Sequence, residues 1–107
     1  MGYRKGIAQS VLGKHSESIK SYDKVLEIDP SNVKTLFSKG LAFFALSDDN
    51  NAITLFEKIL ELDSKHNEVM RYVGLIKIKL EKFDEALDIF DKSLAIVPEQ
   101  VYVLLKK

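Results

Sequence analysis

The sequence has no cysteine and no tryptophan, only two prolines and five glycines, and no surplus of either charge. Without cysteine there is no disulfide framework, no thiolate metal site and no thiol nucleophile. Sixteen Lys and Arg balance sixteen Asp and Glu, so the chain lacks the basic excess with which a general nucleic-acid binder displaces counterions from phosphates. The longest unbroken apolar run, Leu41 to Leu46, falls far short of the ~20 residues that cross a bilayer. The N-terminus lacks the pattern of a secretory signal. Neither nucleic acid nor membrane is therefore expected as a partner, and a cytoplasmic location is. What the chain does hold is 46% hydrophobic and 30% charged residues in 107 positions, enough for the core of one domain.

Those residues recur with a fixed period. Tyr22-Asp-Lys-Val-Leu-Glu-Ile-Asp29, Phe56-Glu-Lys-Ile-Leu-Glu-Leu-Asp63 and Phe90-Asp-Lys-Ser-Leu-Ala-Ile-Val97 begin 34 residues apart each time. The same offset links Gly6, Gly40 and Gly74, then Ser18, Ala52 and Ala86, without a gap. Within a period the apolar spacing is helical, and each period splits at a polar turn such as Ser47-Asp48-Asp49-Asn50. Pro30 and Pro98 fall one residue after homologous segments and are read as helix stops. The pattern predicts helices over 2–12, 16–28, 33–46, 50–62, 67–80 and 84–96. A seventh is expected to start in 101–107, since Val101 and Leu104 lie one period after Asn67 and Met70.

This arrangement resembles the tetratricopeptide repeat (TPR) family. The resemblance is carried by Gly6, Gly40 and Gly74 in the first helices and by the small residues Ser18, Ala52 and Ala86 in the second. Tyr22, Phe56 and Phe90 late in the second helices, and Pro30 and Pro98 between units, add to it. It implies an all-α, right-handed α-solenoid of three antiparallel helix pairs plus a short C-terminal helical segment. The units would be about 1–32, 33–66 and 67–100 in a single array, with 101–107 starting a further or capping helix. Departures exist: Gly2 stands where Leu36 and Met70 open the other units, and Ser64 replaces a proline. A glycine inside a helix costs about 1 kcal/mol relative to Ala. Three at one phase imply close approach of the paired helices, with the small residue of the second helix expected opposite.

No catalytic constellation emerges. His15 and His66, the only histidines, fall in predicted turns and are read as solvated. Asp84 and Glu85 open a helix, where negative charge offsets the macrodipole, and Asp88 precedes Lys92 by four residues. Asp48-Asp49-Asn50-Asn51 lacks the glycine and the downstream glutamate of a calcium loop. No metal, no cofactor and no enzymatic activity are expected.

Binding is the better reading. The resemblance implies that the first helices line a concave groove, placing there Tyr3, Ile7, Lys34, Phe37, Leu41, Phe44, Arg71, Leu75, Ile78 and Lys79. Most are apolar, which suits a protein or peptide partner that offers an apolar or amphipathic segment. One TPR subgroup grips a chaperone's C-terminal carboxylate with Lys and Asn. The matching places here are Tyr3, Ile7, Leu41, Arg71 and Leu75, of which Arg71 alone suits that task. A second reading stays open: self-assembly of a repeat segment of a larger protein, through the apolar groove or through uncapped ends. RNA binding by a related helical-repeat class fits neither the period nor the charge.

Overall fold

A computed structural model describes the backbone of residues 2–106 and the side chains of residues 2–96. Its elements are α1 (Gly2–Val11), α2 (His15–Ile28), α3 (Val33–Ala45), α4 (Asp49–Leu62), α5 (Asn67–Lys79) and α6 (Phe83–Lys106). Each odd helix packs most closely on the even helix that follows it, and α2 on α3 and α4 on α5 join the pairs into an all-α solenoid.

The turns inside the three pairs are closed in the same way. Gly13, Ser47 and Glu81, one period apart, all take positive φ, of 80°, 61° and 61°. The next amide then reaches back five residues: Lys14 to the Gln9 carbonyl, Asp48 to Phe43 and Lys82 to Lys77, at 2.8–2.9 Å. This is the left-handed helix ending that glycine adopts freely; Ser47 and Glu81 adopt it at a cost of about 1 kcal/mol each. Between pairs the caps differ. The Asn32 side chain accepts the Thr35 amide at 3.0 Å and starts α3, and the His66 Nδ1 accepts the Val69 amide at 3.3 Å and starts α5. His66 is thus a helix cap, and His15 is a half-buried residue of the first turn of α2; neither is the solvated turn residue expected.

The repeated glycines do mark close approach, but what lies opposite is an aromatic ring. A Cβ on Gly40 would stand 2.5 Å from Cε1 of Phe56, and one on Gly74 would stand 2.5 Å from Cζ of Phe90; Gly6 faces Tyr22 in the same manner. The ring lies against bare backbone, which a methyl would displace. Ser18, Ala52 and Ala86 are buried. The main core gathers Leu36, Ala52, Phe56, Ile59, Val69, Val73 and Ile76 from α3, α4 and α5.

The expected break at Val97-Pro98-Glu99 is absent: α6 runs unbroken to Lys106, and the separate helix expected from Val101 is its continuation. Proline inside a helix forfeits one hydrogen bond and costs about 3 kcal/mol. Asn32 and His66 cap the helices that follow the first two breaks between units, whereas one period on stands Gln100, a residue type that caps poorly.

Candidate functional site

Side chains of α1, α3 and α5 meet across the pairs and form one face. Tyr3 of α1 contacts Tyr22 at a centroid distance of 5.9 Å, and its hydroxyl is 3.2 Å from the Ser38 hydroxyl of α3. The Lys34 ammonium sits 5.0 Å above the Tyr3 ring. Farther along, Phe37 and Phe44 of α3 stand 5.9 and 5.4 Å from Tyr72 of α5, both edge-on. Phe37 also meets Phe56 at 6.0 Å and His66 at 5.5 Å. Such ring pairs add stability beyond their buried area.

The ten residues expected in the groove therefore divide. Tyr3, Phe37, Leu41 and Phe44 are half-buried, and the last three pack against the core, so they carry fold stability as well as surface. Ile7, Leu75 and Ile78 are exposed large apolar residues. Lys34 and Arg71 are exposed, and Arg71 borders a depression with Glu68, Tyr72 and Leu75. Lys79 is engaged: its ammonium lies 3.1 Å from an Asp49 carboxylate oxygen and 4.9 Å from the Phe44 ring.

Sequence reasoning missed Tyr72, which joins Phe37, Phe44 and Phe56. One period earlier stands Ser38, and before it Arg4, so the position carries no repeat signal. It also missed a pocket of about 120 Å³ between Ile7, Ser10, His15, Tyr22, Ser38 and Leu41. The pocket surface is predominantly apolar, with Ser10, Ser38 and His15 among its lining residues. The His15 Nδ1 is buried and lacks a hydrogen-bond partner within the protein. Shifted by one period, two of these positions become Phe44 and Tyr72, whose rings occupy the corresponding crevice between α3, α4 and α5.

Electrostatic perturbation lies elsewhere. In the third pair, Lys77 donates to Glu85 at 2.8 Å, and that hydrogen bond together with the ammonium's charge holds the Glu85 carboxyl below its ordinary range. Among the described residues no group of His, Asp and Glu is arranged to hold a metal ion, and no helix is long and apolar enough to cross a membrane.

No curated protein sequence matches the chain. Among solved structures it resembles MamA, at 27% identity over 85% of this chain and 53% of that one, with a TM-score of 0.80. It also resembles the first TPR of Spaghetti (RPAP3) bound to the HSP90 peptide SRMEEVD, at 24% identity over 91% of this chain and 77% of that one, TM-score 0.84. The Sgt2 TPR domain from Aspergillus fumigatus follows at 21% identity over 88% and 62%, TM-score 0.80. The chain spans about half the length of the MamA chain. Residues 12–47 match the family model described as TPR repeat, and residues 33–66 match that described as tetratricopeptide repeat. With the period, the Gly-on-ring contacts and these matches together, the chain belongs to the tetratricopeptide repeat family.

Proposed function

We propose that this chain is a protein-interaction module that holds an apolar or amphipathic segment of a partner protein along the face of α1, α3 and α5, and that it works in the cytoplasm without cofactor or catalysis. The single observation that carries this reading is the open apolar pocket between the first two pairs. A crevice that two rings fill at the second junction stands vacant at the first, on a face that also exposes Ile7, Leu75 and Ile78. An apolar or aromatic side chain of the partner, seated there, would bury the surface that Ser10 and Ser38 leave open, and an anchor of that kind contributes disproportionately to affinity. Lys34 and Arg71 on the rim favour acidic residues beside the anchor.

A structural relative has been solved with the HSP90 peptide SRMEEVD, which supports peptide binding on this architecture. The carboxylate-gripping positions of this chain hold Tyr3, Ile7, Leu41, Arg71 and Leu75, which suits an internal apolar segment better than a charged terminus. Because Phe37 and Phe44 pack against the core, truncating them would confuse binding with folding. The test uses exposed residues. Ile7→Glu with Leu75→Glu should keep the helical melting curve and lose partners captured by the parent chain. Unchanged capture by that variant would sink the groove reading.

A further inference from the structure

Moving back one period, from the second junction to the first, exchanges four residues that act together. At the second, Asp49 in the first turn of α4 is met by Lys79 of α5. That ammonium lies 3.1 Å from the carboxylate and 4.9 Å from the Phe44 ring. Tyr72 stands edge-on to Phe44 at 5.4 Å and fills the same crevice. At the first junction the counterparts are His15 for Asp49, Ala45 for Lys79, Ser10 for Phe44 and Ser38 for Tyr72. Both rings and the donor are gone, and an acceptor remains.

The acceptor registers the loss. His15 lines the open pocket, and its buried Nδ1 has no hydrogen-bond partner among the described residues. Ala45 carries no side-chain donor, and the Ser38 hydroxyl is engaged with that of Tyr3 at 3.2 Å. A buried acceptor left unpaired costs free energy, which a ligand recovers by supplying the hydrogen. The pocket's walls are α1, α2 and α3, so what it lacks is defined within a single junction.

These differences specify an occupant. It brings an aromatic ring, because rings fill the counterpart crevice, and a hydrogen-bond donor, because alanine replaces Lys79. The donor is neutral: the imidazole in place of the Asp49 carboxylate offers a lone pair but no negative charge to hold an ammonium. Phenylalanine lacks the donor, and lysine lacks the ring. Tyrosine has both within the size of the rings at Phe44 and Tyr72, whereas an indole is larger than either.

We propose that the anchor of the partner segment is a tyrosine, its ring seated between Ser10 and Ser38 and its hydroxyl donating to the His15 Nδ1. The imidazole turns about its Cβ–Cγ bond to receive that hydrogen. This inference rests on the groove reading above and adds the identity of the anchor to it.

The probes that test it are p-cresol, toluene and 3-methylindole, which reproduce the side chains of tyrosine, phenylalanine and tryptophan. Each is titrated into the whole chain and followed by the NMR shifts of the Ile7, Ser10 and Leu41 amides. p-Cresol is expected to bind most tightly. His15→Phe should weaken p-cresol relative to toluene by about tenfold, the scale of one hydrogen bond to a buried group. Toluene serves as the reference, so any change in the shape of the pocket divides out. His15→Asn keeps an acceptor near the same place and should preserve the preference. Equal binding of p-cresol and toluene, tightest binding of 3-methylindole, a preference that survives His15→Phe, or its loss in His15→Asn would overturn the tyrosine assignment and leave the groove reading standing. If none of the probes shifts these amides, the assignment and the pocket's role both fall, and capture by Ile7→Glu with Leu75→Glu decides separately whether the face binds.

Discussion

The first and second junctions of this solenoid use the same backbone geometry and opposite solutions to filling it. Between α4 and α5, Phe37, Phe44, Phe56 and Tyr72 form a continuous set of ring contacts at 5.4–6.0 Å. Between the first two pairs, serines stand at two of those positions beside an open pocket, and a Tyr3–Ser38 hydrogen bond and a Lys39–Asp23 ion pair link the pairs. The repeat fixes where a junction must lie, because helix pairing and turn geometry recur with it. It leaves open whether a given junction is spent on stability or kept for a ligand. A closed crevice and an open one differ here by a few side chains on an unchanged frame.

The largest effect that would break the comparison is at the rings beneath the two junctions. Phe56 is fully buried and touched by Phe37 and Tyr72, so Phe56→Ala should cost about 3–5 kcal/mol in chemical denaturation. Tyr22→Ala should cost less, since its ring, though equally buried, meets one aromatic partner, Tyr3, among the described residues and borders the pocket. Equal losses would mean that the two junctions are energetically alike and that the pocket is not an energetic gap.

A smaller effect follows from converting the second junction into the first. Tyr72 is half-buried and reaches three rings; Tyr72→Ser should therefore cost about 2–3 kcal/mol, below the figure for a fully buried aromatic. Its structure should show a second crevice opposite Phe44. A crevice that collapses completely would show that the frame is softer than the first junction suggests.

Much of this was legible in the sequence, and the failures have identifiable causes. The period placed the bounds of α1 to α5 within one residue of those observed, because turn residues and apolar spacing agree in all three periods. It misjudged the end of α6 because proline was read as the stop. Ser64 follows a helix that does end, and Pro98 lies within one that does not. The residue two positions later, Asn32 or His66 against Gln100, separates the cases. The positive-φ turn was hidden because Gly13, Ser47 and Glu81 share a conformation but no side-chain type. The groove candidates lie on α1, α3 and α5, yet the pocket depends on Ser10 and Ser38 being small where Phe44 and Tyr72 are large. A repeat average erases that contrast.

The caps offer a finer comparison. Asn32→Ala and His66→Ala should each cost about 1 kcal/mol, the ordinary loss of a helix N-cap. His66 also packs against Phe37, so its loss should be the greater. His66→Asn keeps a capping acceptor and removes only that ring contact. Thermal melts of the three variants separate cap from packing: if His66→Asn is as damaging as His66→Ala, the Nδ1 bond contributes nothing and α5 is held by the aromatic set alone.

The smallest change in stability belongs to the substitution that closes the first pocket. Ser38→Tyr puts a ring where Tyr72 sits one period later, burying apolar surface while breaking the Tyr3–Ser38 hydrogen bond. The two terms are of similar size, so stability should move by less than about 1 kcal/mol. Binding should respond far more strongly, because an occupied pocket has no room for an incoming anchor. A peptide captured by the parent chain should then be lost by Ser38→Tyr but retained by Ser38→Ala, which removes the same hydroxyl and leaves the space. Retention by both variants would place the anchor elsewhere on the face. Loss by both would assign recognition to the hydroxyl. Only loss on filling, with retention on emptying, makes the vacancy itself the binding feature.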